Sequence, residues 1–139
     1  MKKQIILLTS LFLLLGSLAL NAQDAQQECN IKYNLFKGDY QSKKYDDAYP
    51  NWMYLMDNCK KLSINVYKFG DKLAQVRFKN AENKTEAAAL VNRVYTQRLE
   101  NYPSIDPAKA HSNYATFLIK NKFNFKLLAK SYLQGRCKV

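Results

Sequence analysis

YNLFKGDYQSKKYDDAYPNWMYLMDNC, residues 33–59, is dense in aromatic side chains and ends in a cysteine. Rings in such number could line a ligand site, stack on nucleic acid or fill an interior, and their spacing separates these readings. Cys29, Tyr33, Phe36 and Tyr40 recur at steps of four, three and four, which places them on one face of a helix. Tyr45, Ala48, Trp52, Leu55 and Cys59 follow at steps of three, four, three and four, with Asn51, Asp57 and Asn58 outside that row. Lys43, Lys44 and the acids Asp46 and Asp47 mark a short polar turn between the two helices. Two amphipathic helices joined this way close into a hairpin, so the rings are expected to be core, with a ligand-binding aromatic box as the alternative. Pro50 is expected in the first turn of the second helix, where a missing N–H costs little. Tyr49 and Tyr54 lie off the main row and are candidates for contact with a neighbouring hairpin or a partner.

The hairpin accounts for two of the cysteines. Cys29 and Cys59 are each fifteen residues from Lys44, so an antiparallel pair of helices brings them level at its open end. In an oxidising compartment that arrangement favours a disulfide; the other reading is two buried free thiols. Cys137 is left over, free or available for an intermolecular bond. Residues 1–22 supply the compartment. Lys2 and Lys3 precede an apolar run from Ile5 to Leu20, and Ala22 is a small residue at a cleavage position, the pattern of a secretory signal peptide. The run is shorter than the ~20 residues of a membrane span. The expected product is periplasmic or extracellular, with no transmembrane span after removal of the signal.

Removing 22 of 139 residues leaves 117, enough for one helical domain, 23–139, with a real core. The formal net charge is +11, and the acids all lie between Asp24 and Asp106, whereas Lys109, Lys120, Lys122, Lys126, Lys130, Arg136 and Lys138 follow Pro107 without one. Such asymmetry suggests an acidic partner or surface, although solvated helix faces have the same composition. Turn and capping signals divide the chain into six helices, near 28–42, 47–59, 63–80, 84–101, 107–120 and 124–134. Ser63 is placed to cap the third, Asn83 with Glu86 to open the fourth, and Asp106-Pro107 to start the fifth.

Tyr33-x2-Phe36-Lys37-x2-Tyr40 followed by Ala48-x3-Trp52-x2-Leu55 resembles a tetratricopeptide repeat. Val66-x2-Phe69-Gly70-x2-Leu73, with Val91-x3-Tyr95 and Pro103, forms a second unit, and His111-x2-Tyr114-Ala115-x2-Leu118, with Leu128-x3-Tyr132, a third. Lys37 departs from the pattern by standing where a small residue normally permits close helix packing. Together with the secretory start, the phrase Tyr45-Asp46-Asp47-Ala48-Tyr49-Pro50-Asn51-Trp52 is similar to the N-terminal part of exported bacterial tetratricopeptide proteins of the cell envelope, which are generally longer. The resemblance implies an all-α, tetratricopeptide-like solenoid of about three helical hairpins. It also implies a non-catalytic protein–protein interaction scaffold or adaptor.

No nucleophile elbow, glycine-rich phosphate loop, H-E-x-x-H or C-x-x-C pattern is present in the sequence, so neither catalysis nor a cofactor or metal is expected. His111, the one histidine, occupies a core-type repeat position and is expected to be packed. Nucleic acid is not expected as a partner of an exported chain whose aromatics are assigned mostly to core. A protein partner is expected on the inner helices, with Asn34 and Gln41 as outward-facing candidates. The alternative is a cationic module docking on an acidic envelope polymer or membrane surface through Lys122, Lys126 and Lys130, recurring at steps of four as a ridge.

Overall fold

A computed structural model describes residues 23–122. Five helices are found there and no strand: α1 (23–41), α2 (Tyr45–Asn58), α3 (Asn65–Asn80), α4 (Lys84–Asn101) and α5 (Pro107–Lys120). The all-α expectation holds, and α4 and α5 have the limits that their capping residues imply. The sixth expected helix, 124–134, lies outside the described residues, as do Lys126, Lys130 and Cys137. The chain divides at Leu73 and Ala74 into two compact units, so α3 contributes its first half to one and its second half to the other.

The first unit is the expected hairpin together with the start of α3. Helix α1 ends at a three-residue turn, where Lys43 N–H donates to the Tyr40 carbonyl and Lys44 N–H to the Asp39 carbonyl at 3.0 and 2.9 Å. This is a Schellman closure, with Lys43 in the left-handed position usually given to glycine (φ 59°). Across the open end, Cys29 and Cys59 are bonded, with Cα atoms 5.9 Å apart. On the chain-entropy treatment a loop of this length contributes roughly 3–4 kcal/mol.

Between these two ends the aromatic rows interlock. Phe36 is fully buried, with the rings of Tyr33, Tyr40 and Phe69 at 6.5, 6.2 and 6.4 Å. Tyr40 stacks on Phe69 at 4.7 Å and meets Tyr45 at 5.8 Å. Burial, followed by Tyr45 and Asp71, raises the Tyr40 phenol above its ordinary pKa. These ring contacts join α1 to α2 and to α3.

Helix α3 closes on the other side of α2 through Trp52. The indole is fully buried, and its Nε1–H donates to the Val66 carbonyl at 2.9 Å. One turn further along α3, Gly70 leaves the space that the ring occupies: a Cβ there would fall 2.6 Å from Cε2 and 2.8 Å from Cζ2. Met56, absent from the expected row, is fully buried as well, because α2 is covered on two sides and not one. Its helix also starts at Tyr45, two residues earlier than expected. Pro50 therefore lies in the second turn rather than the first, at an exposed position, where its ring removes one backbone N–H from the helix.

Side-chain caps form at Ser63, Asn83 and Asp106, the last from a left-handed backbone with φ 49°. Ser63 Oγ accepts from Asn65 N–H at 3.2 Å; Asn83 Oδ1 accepts from Thr85 and Glu86 N–H, both at 3.1 Å; Asp106 Oδ1 accepts from Lys109 N–H at 3.2 Å. Lys84 adds a contact that its position did not announce. Its ammonium donates to the Phe78 and Lys79 carbonyls at 2.9 and 2.8 Å and lies 5.2 Å from the Phe78 ring centroid. The first residue of α4 thus satisfies carbonyls orphaned at the end of α3.

In the second unit Phe78 meets Phe117 edge to face at 5.0 Å, and Tyr95 stacks on Tyr114 at 5.0 Å. Tyr114 donates its hydroxyl to Asn92 Oδ1 at 2.6 Å. His111 is exposed on α5, contrary to its expected packed position, because Ala110, Phe117 and Leu118 define the buried face and His111 projects one residue, about 100°, away from Ala110.

The two glycines of the first unit make opposite predictions for thermal or denaturant unfolding. Gly38 has nothing within 4 Å of where a Cβ would lie, so Gly38→Ala is expected to raise stability by about 0.5–1 kcal/mol. Gly70→Ala is expected to lower it, because the indole and backbone must separate by more than the helix-propensity gain of about 1 kcal/mol repays. Removing the ring by Trp52→Ala is expected to cost about 3–5 kcal/mol; a loss near zero would contradict the packing described. A further prediction concerns alkali. Burial pushes the Tyr114 phenol up to about 12, so the folded chain keeps a proton that the unfolded chain releases near its ordinary pKa of about 10. That contribution is complete below about pH 10 and is lost as pH rises toward 12. Unfolding measured across this window is expected to show a shallower alkaline decline in Tyr114→Phe than in the parent chain.

Candidate functional site

The helix that anchors the hairpin is also the one with an unused face. On α1 the side chains of Cys29, Tyr33, Phe36 and Tyr40 point inward. Ile31 precedes Tyr40 by nine residues, or two and a half turns, and so points the opposite way. Leu35 stands one turn on from Ile31. Both are about half exposed, 51% and 50%. Asn34 and Gln41, the expected outward candidates, are exposed, and the helical wheel puts them on the flank of this same face. Gly38 completes the row with open space above its backbone.

The resulting strip is aliphatic at its centre, edged by side-chain amides, and dented at Gly38. Sequence reasoning found the amides and missed Ile31, Leu35 and Gly38. The available signal was a second apolar step of four, Ile31 to Leu35, half a turn from the aromatic row. A short i, i+4 pair is easily read as incidental, because isolated exposed aliphatics are ordinary.

Charged groups border the strip without crossing it. Glu28 receives a hydrogen bond from the Tyr54 hydroxyl, which raises that phenol's pKa, with desolvation and the Glu28 charge as smaller causes. Lys32 lies over the Tyr54 ring at 5.4 Å from its centroid. Tyr54, off the main row of α2, thus fixes one edge of α1 by contacts inside the hairpin. Tyr49 is likewise taken up internally, 5.8 Å from Trp52. Near the disulfide, Tyr33 Oη accepts from Ser63 Oγ and Asn65 Nδ2, both at 3.3 Å, a polar closure of the open end.

The basic ridge has a different standing. Lys122 is exposed but lies in the turn after α5 with φ 54°, and its N–H donates to the Ile119 carbonyl at 3.1 Å. Its backbone there is left-handed rather than helical. Lys126 and Lys130 are outside the described residues.

Within the described residues, no group of three His, Cys, Asp or Glu side chains is placed to hold a metal ion. No helix there is long and apolar enough to cross a membrane. Arg98 is buried, with 6% exposure, and its Nε has no hydrogen-bond partner among the described residues. No protein-family model matches this chain, and comparisons with curated proteins and with solved structures find no similar protein.

Proposed function

We propose that the chain is an exported, non-catalytic interaction scaffold or adaptor of the bacterial envelope, built as a tetratricopeptide-like helical solenoid, with the outer face of α1 as its docking surface. The observation that carries this reading is the half-exposed Ile31–Leu35 pair on the face of α1 opposite the aromatic row around buried Phe36. A helix whose second face is also apolar gains by covering it. Support for the compartment comes from the Cys29–Cys59 bond, which suits an oxidising environment, and from the secretory pattern of residues 1–22. Support for the repeat character comes from the burial of Phe36, Ala48, Trp52, Leu55, Val66, Leu73, Val91, Tyr95 and Leu118, all positions quoted in the repeat pattern.

The acid-free stretch after Pro107, with Lys109, Lys120 and Lys122 exposed, favours one second reading, a cationic module that docks on an acidic envelope polymer or membrane surface. Its association would weaken steeply with salt, whereas an aliphatic docking face would be much less sensitive.

A photo-crosslinking residue placed at Asn34 or Gln41, with exposed Lys72 on α3 as the control position, separates the two in cells that export the chain. Protein adducts are expected at 34 and 41 but not at 72, and Ile31→Glu is expected to remove them. Adducts absent from all three positions would contradict the α1 reading. If Lys122, Lys126 and Lys130 changed together to glutamine then released the chain from envelope fractions, the cationic module would be the better account.

A further inference from the structure

We infer that the partner of the α1 strip is a second copy of the same chain, the two α1 helices packing antiparallel about a twofold axis. This inference rests on the reading of that face as a docking surface and names its occupant. Three observations converge on it.

The first is shape. Ile31 is a half-exposed knob, and Gly38, two turns along the same row, is open for lack of a side chain. When two copies of a helix run antiparallel with the axis between residues 34 and 35, residue 31 of one copy faces residue 38 of the other. Each isoleucine then enters the dent above the opposite glycine, and the two Leu35 side chains meet near the axis. A twofold interface requires this self-complementarity, in which residue i meets j and j meets i. The glycine also lets the two backbones approach closely.

The second is charge. Exposed Asp24 lies toward the N-terminal end of α1, and exposed Lys43 and Lys44 follow its C-terminal end. In the antiparallel register Gln41, the last residue of α1, falls level with Glu28, so Asp24, one turn further on, lies past the end of the opposite helix, beside the turn that carries Lys43 and Lys44. A parallel arrangement would place like charges together at both ends. The helix dipoles add in the same sense, since each positive N-terminus faces a negative C-terminus.

The third is the lack of charge along the middle of the strip. Asn34 and Gln41 edge it, and neither imposes the desolvation cost of an ion on closure. Their amides can pair across the axis or remain hydrated at the rim, as in other interfaces with an apolar centre and polar border.

The contact area available to one helix face with two aliphatic anchors is modest, so the dimer is expected to be reversible, with a dissociation constant in the range of about 1–100 μM. Sedimentation equilibrium of the exported, signal-free chain, from concentrations below to well above that range, reads it directly. The expected result is a monomer–dimer equilibrium whose dissociation constant rises at least tenfold in Ile31→Glu and several-fold in Asp24→Lys. Adding Lys43→Asp and Lys44→Asp to Asp24→Lys is expected to restore association toward the parent value. Gly38→Leu, which fills the dent, is expected to weaken association while circular dichroism shows the helices intact.

A chain that stays monomeric up to about 1 mM, far above the expected range, overturns the inference. So does a dimer that is indifferent to Ile31→Glu, or one in which the charge swap fails to restore what Asp24→Lys removes. The two readings fail separately. A monomeric purified chain that still forms adducts with a different protein through Asn34 would overturn self-association and leave the docking face in place, whereas adducts absent altogether would remove the docking face itself.

Discussion

The seating of Trp52 against α3 is the contact on which the first unit depends. A tryptophan between helices needs an outlet for its indole N–H and room for the broad plane of its ring. The Val66 carbonyl supplies the first at 2.9 Å, and the missing side chain of Gly70 supplies the second. Because Val66 and Gly70 are one helical turn apart, the two requirements jointly fix both the height and the rotation of α3 on α2. An aliphatic side chain at 52 would have left that rotation loose, since dispersion contacts are not directional.

With α3 placed, the remaining aromatic rows have defined neighbours. Phe69, one residue before Gly70, reaches Phe36 and stacks on Tyr40, so α1 is held by both α2 and α3. The Cys29–Cys59 bond then closes the end away from the Lys43 turn. Neither connection uses a glycine in the left-handed position: Lys43 takes it after α1 and Lys122 after α5. A lysine there costs roughly 1–2 kcal/mol relative to ordinary helical backbone, a strain that the surrounding packing and caps must offset.

The same arrangement explains why a potential docking face exists at all. Contacts with α2 and α3 occupy the Cys29–Tyr33–Phe36–Tyr40 side of α1, and Tyr54 holds its edge through Glu28 and Lys32. What is left is the Ile31–Leu35 side, whose exposure follows from where the partners of α1 are and not from any property of the two residues alone. Its aliphatic character distinguishes it from the lysine-bearing turns, and that difference favours a protein surface over a polyanion as the occupant of this face.

Local chemistry was legible in the sequence. The ends of α4 and α5 followed from Asn83 and Asp106-Pro107, because a cap is a contract among residues three or four apart and needs no distant neighbour. Helical periodicity likewise located the two aromatic rows, and their equal distance from Lys44 levelled Cys29 with Cys59. Other features depended on elements far away in the chain. Met56 is buried because α3 covers a second side of α2; His111 is exposed because α5 turns Ala110 and Phe117 inward; Lys84 completes the end of a different helix. The candidate site belongs to this second kind. At 3.6 residues per turn Ile31 and Leu35 stand across α1 from the aromatic row, a spacing present in the sequence but without meaning until packing selects a side: the aromatic face finds Trp52's helix and Phe69, and the aliphatic face is left half exposed.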